Sequence, residues 1–181
     1  MTSPDSVPQV ELTLSTAEHM RALGRSLTGS LHAGDLVLLT GDLGAGKTTL
    51  VQGIGAGLGV RGPIASPTFV IARVHPSTVG GPPLVHVDAY RLGSWDELED
   101  LDLEASLDEA VTVVEWGTGL AEGLADRRLE IEIVRTHGGD ADEEFEDRTV
   151  RIRTIGRPLP DLAEPRTPHL GSHGPTPTHH D

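Results

Sequence analysis

The sequence predicts an α/β fold, a mixed sheet with flanking helices in which the late strands run antiparallel. Three observations point there. An apolar run, DLVLLT at 35–40, feeds a glycine-rich turn and then a stretch with Leu50, Val51, Ile54 and Leu58 on one helical face. Two more apolar segments, LVHVD and VTVVE, each end on an acid, Asp88 and Glu115. Later, LEIEIVR (129–135) and RTVRIRTI (148–155) alternate apolar and polar residues, the pattern of an antiparallel pair with one wet face.

The elements follow in order. Residues 1–8, with two Pro and two Ser, read as a disordered N-terminus. VELTL (10–14) alternates like a half-buried strand. Ser15 and Thr16 are candidate N-caps for a helix carrying Met20, Leu23, Leu27 and Leu31. The helix after the glycine turn holds Gly53, Gly55 and Gly57, each costing about 1 kcal/mol against Ala, so it depends on tertiary packing. Strands are expected at FVIARV (69–74), LVHVDAY (84–90) and VTVVEW (111–116), with the acidic stretch 94–110 mostly helical. The late pair is joined by the acidic loop THGGDADEEFED. One domain over 9–156 is followed by a Pro-, Gly- and His-rich tail, 157–181, expected to be disordered and to offer no preorganised metal site despite its histidines.

Composition narrows the function. The chain has 181 residues and no Cys, so there is no disulfide framework and no thiolate chemistry. No apolar run approaches a membrane span and the N-terminus lacks a signal-peptide pattern, so the expectation is a cytoplasmic protein with no membrane partner. Net charge is −14, from 28 acidic and 14 basic residues, the wrong sign for holding nucleic acid through its phosphates. The acidic surface is either simply well solvated or complementary to a basic partner, and any RNA would be held by that partner.

The chain contains one Lys against thirteen Arg, and that Lys lies in the glycine turn. Gly41, Asp42, Leu43, Gly44, Ala45, Gly46, Lys47 and Thr48 satisfy G-x-x-x-x-G-K-[ST] at every fixed position, and Thr49 follows. Glycines let a backbone curl its N–H groups around an anion, and the helix starting there adds its positive end. A compact ammonium reaches β- and γ-phosphates in a way the planar guanidinium does not, and the Thr48 hydroxyl suits Mg2+. With a strand running in and a helix running out, the fold is P-loop NTPase-like and the ligand is a nucleotide.

In such a sheet ligands sit beyond the carboxyl ends of the strands, so parallel strands bring Asp88 and Glu115 towards Thr48 and the γ-phosphate. One acid can hold Mg2+ and the other can orient an attacking water. Thr68, in SPTF (66–69), is placed either as a γ-phosphate sensor or merely as part of a turn leading into a strand.

GDLGAGKTT, SPTF, HVDAYRL and VVEWG, in this order and spacing, resemble the TsaE (YjeE) family of bacterial P-loop ATPases over about residues 10–156. The resemblance implies an ATPase required for N6-threonylcarbamoyladenosine formation at position 37 of tRNA. In that family the subunit works with TsaB and with TsaD, which transfers the threonylcarbamoyl group, and ATP turnover resets the complex. The resemblance further implies that residues 41–49 hold the phosphates of ATP or ADP, with Thr48 and Glu115 at Mg2+. It gives Asp88 the Walker B-type carboxylate, Thr68 a switch contact, and Tyr90 and Arg91 a place in the site or on a partner surface. Trp116 would pack beside the nucleotide and Arg148 would line the base pocket. Three positions depart from the family pattern: Ala89 for Leu, Asp102 for Gly and Ala125 for Pro.

A small-molecule kinase on the same scaffold is the alternative, although the segment 93–110 lacks the Arg that kinase lids carry. A GTPase reading fails because N-K-x-D cannot occur where the one Lys is already in the turn.

Overall fold

The computed structural model describes residues 7–66, 71–101, 103–135 and 147–162. Its centre is β2 (Leu36–Thr40), whose side chains alternate between two apolar layers. Val37 and Leu39 enter one buried cluster and Leu36 and Leu38 the other, which is why this strand is apolar without interruption. β2 pairs in parallel with β5 (Val111–Glu115) on one side and with β6 (Arg128–Arg135) on the other. β4 (Leu84–Asp88) lies parallel to β5. Antiparallel strands finish both edges: β3 (Ala72–His75) against β4, and β7 (Arg148–Ile155) then β1 (Gln9–Leu14) beyond β6. The order of the described sheet is β1-β7-β6-β2-β5-β4-β3.

One face of the sheet is covered by α1 (Ala17–Leu27) and α2 (Lys47–Leu58). Thr16, rather than Ser15, caps α1, its hydroxyl accepting from the His19 N–H at 3.1 Å. The helix closes at Leu27, and Leu31 enters the core after a 3-10 turn, Thr28–Ser30. The glycines of α2 have a packing reason. A Cβ at Gly53 would collide with the Arg21 carbonyl oxygen and lie 2.9 Å from the Arg21 Cα, and one at Gly24 of α1 would lie 2.8 Å from the Gly53 Cα. The two helices therefore meet backbone to backbone, and this approach offsets the poor helix propensity expected of α2.

The acidic segment forms two short helices, α3 (Trp95–Glu99) and α4 (Glu104–Leu107), on the other face, where Leu98 and Leu103 join Val85, Val87 and Val114. The outer half of that face is wet. Arg151 pairs with Glu11 at 2.7 Å and Glu132 at 3.0 Å, and Arg153 pairs with Glu130 at 2.7 Å, across β1, β7 and β6. This explains the strict alternation of the late strands, and it confirms them as an antiparallel pair.

β3 begins later than the apolar run FVIARV suggests. Ile71 sits in a bend, its carbonyl accepting from the Asp88 N–H at 2.9 Å, and pairing along this edge strand starts at Ala72. Residues 69–70 lie outside the described residues. β4 also stops short of Tyr90: the Ala89 N–H makes the last ladder bond, to the Glu115 carbonyl at 2.9 Å, and the Asp88 side chain then draws the chain into a turn by accepting from the Tyr90 N–H at 3.0 Å. Arg157, where the tail was expected to begin, is anchored to the body: its guanidinium lies 3.0 Å from the Asp35 carboxylate and donates to the Ser30 carbonyl at 2.5 Å. Residues 163–181 lie outside the described residues.

Gly53→Val is expected to destabilise the fold by about 3 kcal/mol, since backbone rather than a flexible side chain stands in the way. Gly29→Ala, where an added Cβ meets nothing within 4 Å, is expected to stay within about 0.5 kcal/mol of the parent. Urea unfolding of both variants checks the pair.

Candidate functional site

β2 delivers the chain into the turn 41–46, and α2 starts directly after it. Gly44 and Gly46 hold φ of 78° and 110°, a region other residues enter at a cost, so the tight return into the helix depends on glycine there. Lys47 is only 5% exposed. Its Nζ folds back over the turn, donating to the Gly41 carbonyl at 2.7 Å and the Asp42 carbonyl at 2.9 Å. It also lies 4.1 Å from the centre of the Trp116 ring, a cation–π contact. Burial holds the Lys47 pKa below its usual value, while Glu115, Asp88 and Asp42 act in the opposite direction.

The strand register gathers the acids. Glu115 stands opposite Leu39 of β2 and opposite Asp88 of β4, so the ends of three parallel strands converge on the turn. The Thr48 hydroxyl donates to Glu115 Oε1 at 3.0 Å. Asp88 is held by the Ser66 hydroxyl on Oδ2 at 3.1 Å and by the Tyr90 N–H on Oδ1 at 3.0 Å. Trp116 follows Glu115 with φ 61°, the non-glycine residue with positive φ among the described residues. Its N–H donates to the Leu39 carbonyl at 2.9 Å, and its ring meets Tyr90 with centroids 5.1 Å apart. For an aromatic residue this backbone conformation costs about 1–2 kcal/mol, and it turns the indole over Lys47.

A cavity of about 520 Å³ opens above these groups. Leu43, Gly44, Gly46, Lys47, Thr48 and Thr49 form its floor, and Ser66, Ile71, Asp88, Tyr90, Arg91, Glu115 and Trp116 its walls. Gly41, Asp42 and Ala45 form the back of the turn and are not part of that lining. Arg148 is there too: its Nε donates to the Ala45 carbonyl at 3.0 Å, bracing the turn rather than facing the cavity. Thr68 lies outside the described residues, as does Asp102.

His86, to which the sequence reading assigned no role, is fully buried, and its Nε2 lies 2.8 Å from Glu115 Oε1. A polar residue at a core-facing position of LVHVD was the available signal, because that place in an apolar strand ordinarily takes a hydrophobe. Ser66 was also missed, as nothing in the spacing of SPTF relates it to Asp88.

Among the described residues no group of three or more His, Cys, Asp or Glu could hold a metal by itself. Thr48, Asp88 and Glu115 nevertheless present hard oxygen atoms beside an anion cradle. That donor set fits Mg2+, which takes one or two carboxylates and completes its shell with phosphate and water. The cavity volume is also within the range of small-molecule sites.

The family model for "Threonylcarbamoyl adenosine biosynthesis protein TsaE" matches residues 14–144. The chain belongs to the TsaE family. Among its TsaE relatives, one from Streptomyces coelicolor is 65% identical over 125 residues, 68% of this chain and 84% of that protein. One from Mycobacterium tuberculosis is 50% identical over 135 residues, covering 71% and 80%. One from Bacillus subtilis is 35% identical over 153 residues, covering 84% and 90%. All three are named tRNA threonylcarbamoyladenosine biosynthesis protein TsaE. The crystal structure of Bacillus subtilis YdiB superposes with a TM-score of 0.65 at 30% identity, covering 83% of this chain and 88% of that one. The TsaE sheet and helices are thus shared across a moderate sequence distance. No helix among the described residues is long and apolar enough to cross a membrane.

Glu115→Ala leaves the buried His86 ring without its acceptor. The variant is expected to lose about 1–3 kcal/mol of stability in chemical denaturation, before any ligand is added.

Proposed function

We propose that this TsaE-family chain is a Mg2+-dependent ATPase required for threonylcarbamoyl modification of adenosine 37 in tRNA, acting in the cytoplasm with TsaB- and TsaD-like subunits. The observation that supports this most is the convergence of Lys47, Thr48, Asp88 and Glu115 on one cavity at the carboxyl ends of β2, β4 and β5. Residues 41–49 cradle the phosphates of ATP or ADP. On binding, the Lys47 ammonium exchanges its own-loop carbonyls for β- and γ-phosphate oxygens, with the positive end of α2 beneath them.

Thr48 and Glu115 would hold the metal, which when bound would neutralise negative charge on the phosphates. Asp88 is kept in a fixed pose by Ser66 and the Tyr90 backbone and orients the attacking water, directly or alongside the metal. Thr68 senses the γ-phosphate. The Trp116 indole packs on the nucleotide side of the cavity, with the Tyr90 ring tilted against it. Arg148 acts through the turn it braces. A net charge of −14 leaves tRNA contact to the partners, so RNA is engaged indirectly.

The decisive measurement is phosphate release from ATP with and without purified TsaB- and TsaD-like subunits. Slow turnover alone and faster turnover in the complex are expected, with no phosphorylated small-molecule acceptor formed. Turnover of GTP but not ATP would overturn the reading. Lys47→Ala is expected to lower turnover at least about 100-fold. Thr48→Ala is expected to raise the Mg2+ concentration needed for half-maximal rate.

A further inference from the structure

We propose that His86 is a positioning residue for Glu115: the buried Nε2–H of its imidazole fixes the carboxylate that faces the nucleotide. This deepens the proposed function and rests on it. Two donors reach the same oxygen, Glu115 Oε1: the Thr48 hydroxyl at 3.0 Å from α2 and His86 Nε2 at 2.8 Å from β4. Thr48 has a second task, since it lines the cavity and in the proposed function its hydroxyl turns towards a phosphate-bound metal. When it turns, Glu115 loses that donor. His86 cannot leave, because the ring is fully buried in a strand with paired neighbours on both sides.

The burial itself argues for this role. His86 Nδ1 has no hydrogen-bond partner among the described residues, so the ring occupies the core with one polar atom unsatisfied. A hydrophobe would fill the position without that penalty. The contact with Glu115 is what the imidazole adds. It requires the proton on Nε2, and it holds the same Oε1 that Thr48 reaches. Such outer contacts orient a metal-facing ligand, and their loss costs about 10–100-fold in metal affinity or activity.

Three variants separate positioning from mere packing. Gln places an amide N–H near the position of Nε2, Asn places one near Nδ1, and Leu has neither. The first readout is Mn2+ binding to the ADP-loaded protein, followed by electron paramagnetic resonance; ADP affinity without metal and thermal unfolding are measured alongside. His86→Leu and His86→Asn are expected to weaken Mn2+ binding about 10-fold, and His86→Gln to restore most of it, while metal-free ADP affinity stays within about 3-fold. Single-turnover ATP hydrolysis should follow the same order.

Equal Mn2+ affinity in all three variants, or a ranking that follows only their unfolding temperatures, would overturn the role of His86. A wild-type complex that holds Mn2+ no tighter than free ADP does would overturn both the metal site and this inference. The expected ranking of Mn2+ affinities in a protein that hydrolyses no ATP would sustain the positioning role and overturn the ATPase reading alone.

Discussion

A buried carboxylate organises this protein. Glu115 is 3% exposed, and an unpaired charge at that depth is too costly to persist, so the surrounding structure is arranged to meet it. β4 supplies His86, α2 supplies Thr48, and the register of β5 sets the acid beside Asp88 and level with Leu39. Because these donors come from different elements, the site cannot assemble until the parallel centre of the sheet has paired and α2 has docked. Fold and site are therefore one problem.

The docking of α2 has its own constraint. Lys47 and Thr48 occupy its first turn, so any displacement of the helix moves both functional groups together. Contact between α1 and α2 at Gly24 and Gly53 is close enough that backbone meets backbone, which fixes the depth of α2 against the sheet. The glycines that weaken α2 as an isolated helix are the means by which it is held in place. From the other side, Arg148 of β7 grips the Ala45 carbonyl, linking the phosphate-type turn to the antiparallel half of the sheet.

The charged groups of the site are paired within the fold. Lys47 is bound by two carbonyls of its own turn and covered by Trp116, whose left-handed backbone brings the ring there. Asp88 and Glu115 each accept hydrogen bonds from neighbouring groups. In the proposed function a nucleotide exchanges these contacts for its own rather than filling a set of idle groups.

Much of this was legible in the amino-acid order. The glycine turn with its single Lys, the apolar strands ending in Asp88 and Glu115, and the alternation of the last two strands are local patterns, each dictated by backbone geometry or by one wet and one dry face. They sufficed for the fold class and for bringing Lys47, Thr48, Asp88 and Glu115 to one cavity, but not for Ser66 and Ile71 in its wall. Tertiary structure decided what local patterns cannot encode: that β6 pairs with β2, that Ser66 holds Asp88, that Arg148 braces the turn, and that His86 reaches Glu115. Those contacts join residues 22 to 103 positions apart. They depend on strand order and helix depth, which arise only when both faces of the sheet are buried together.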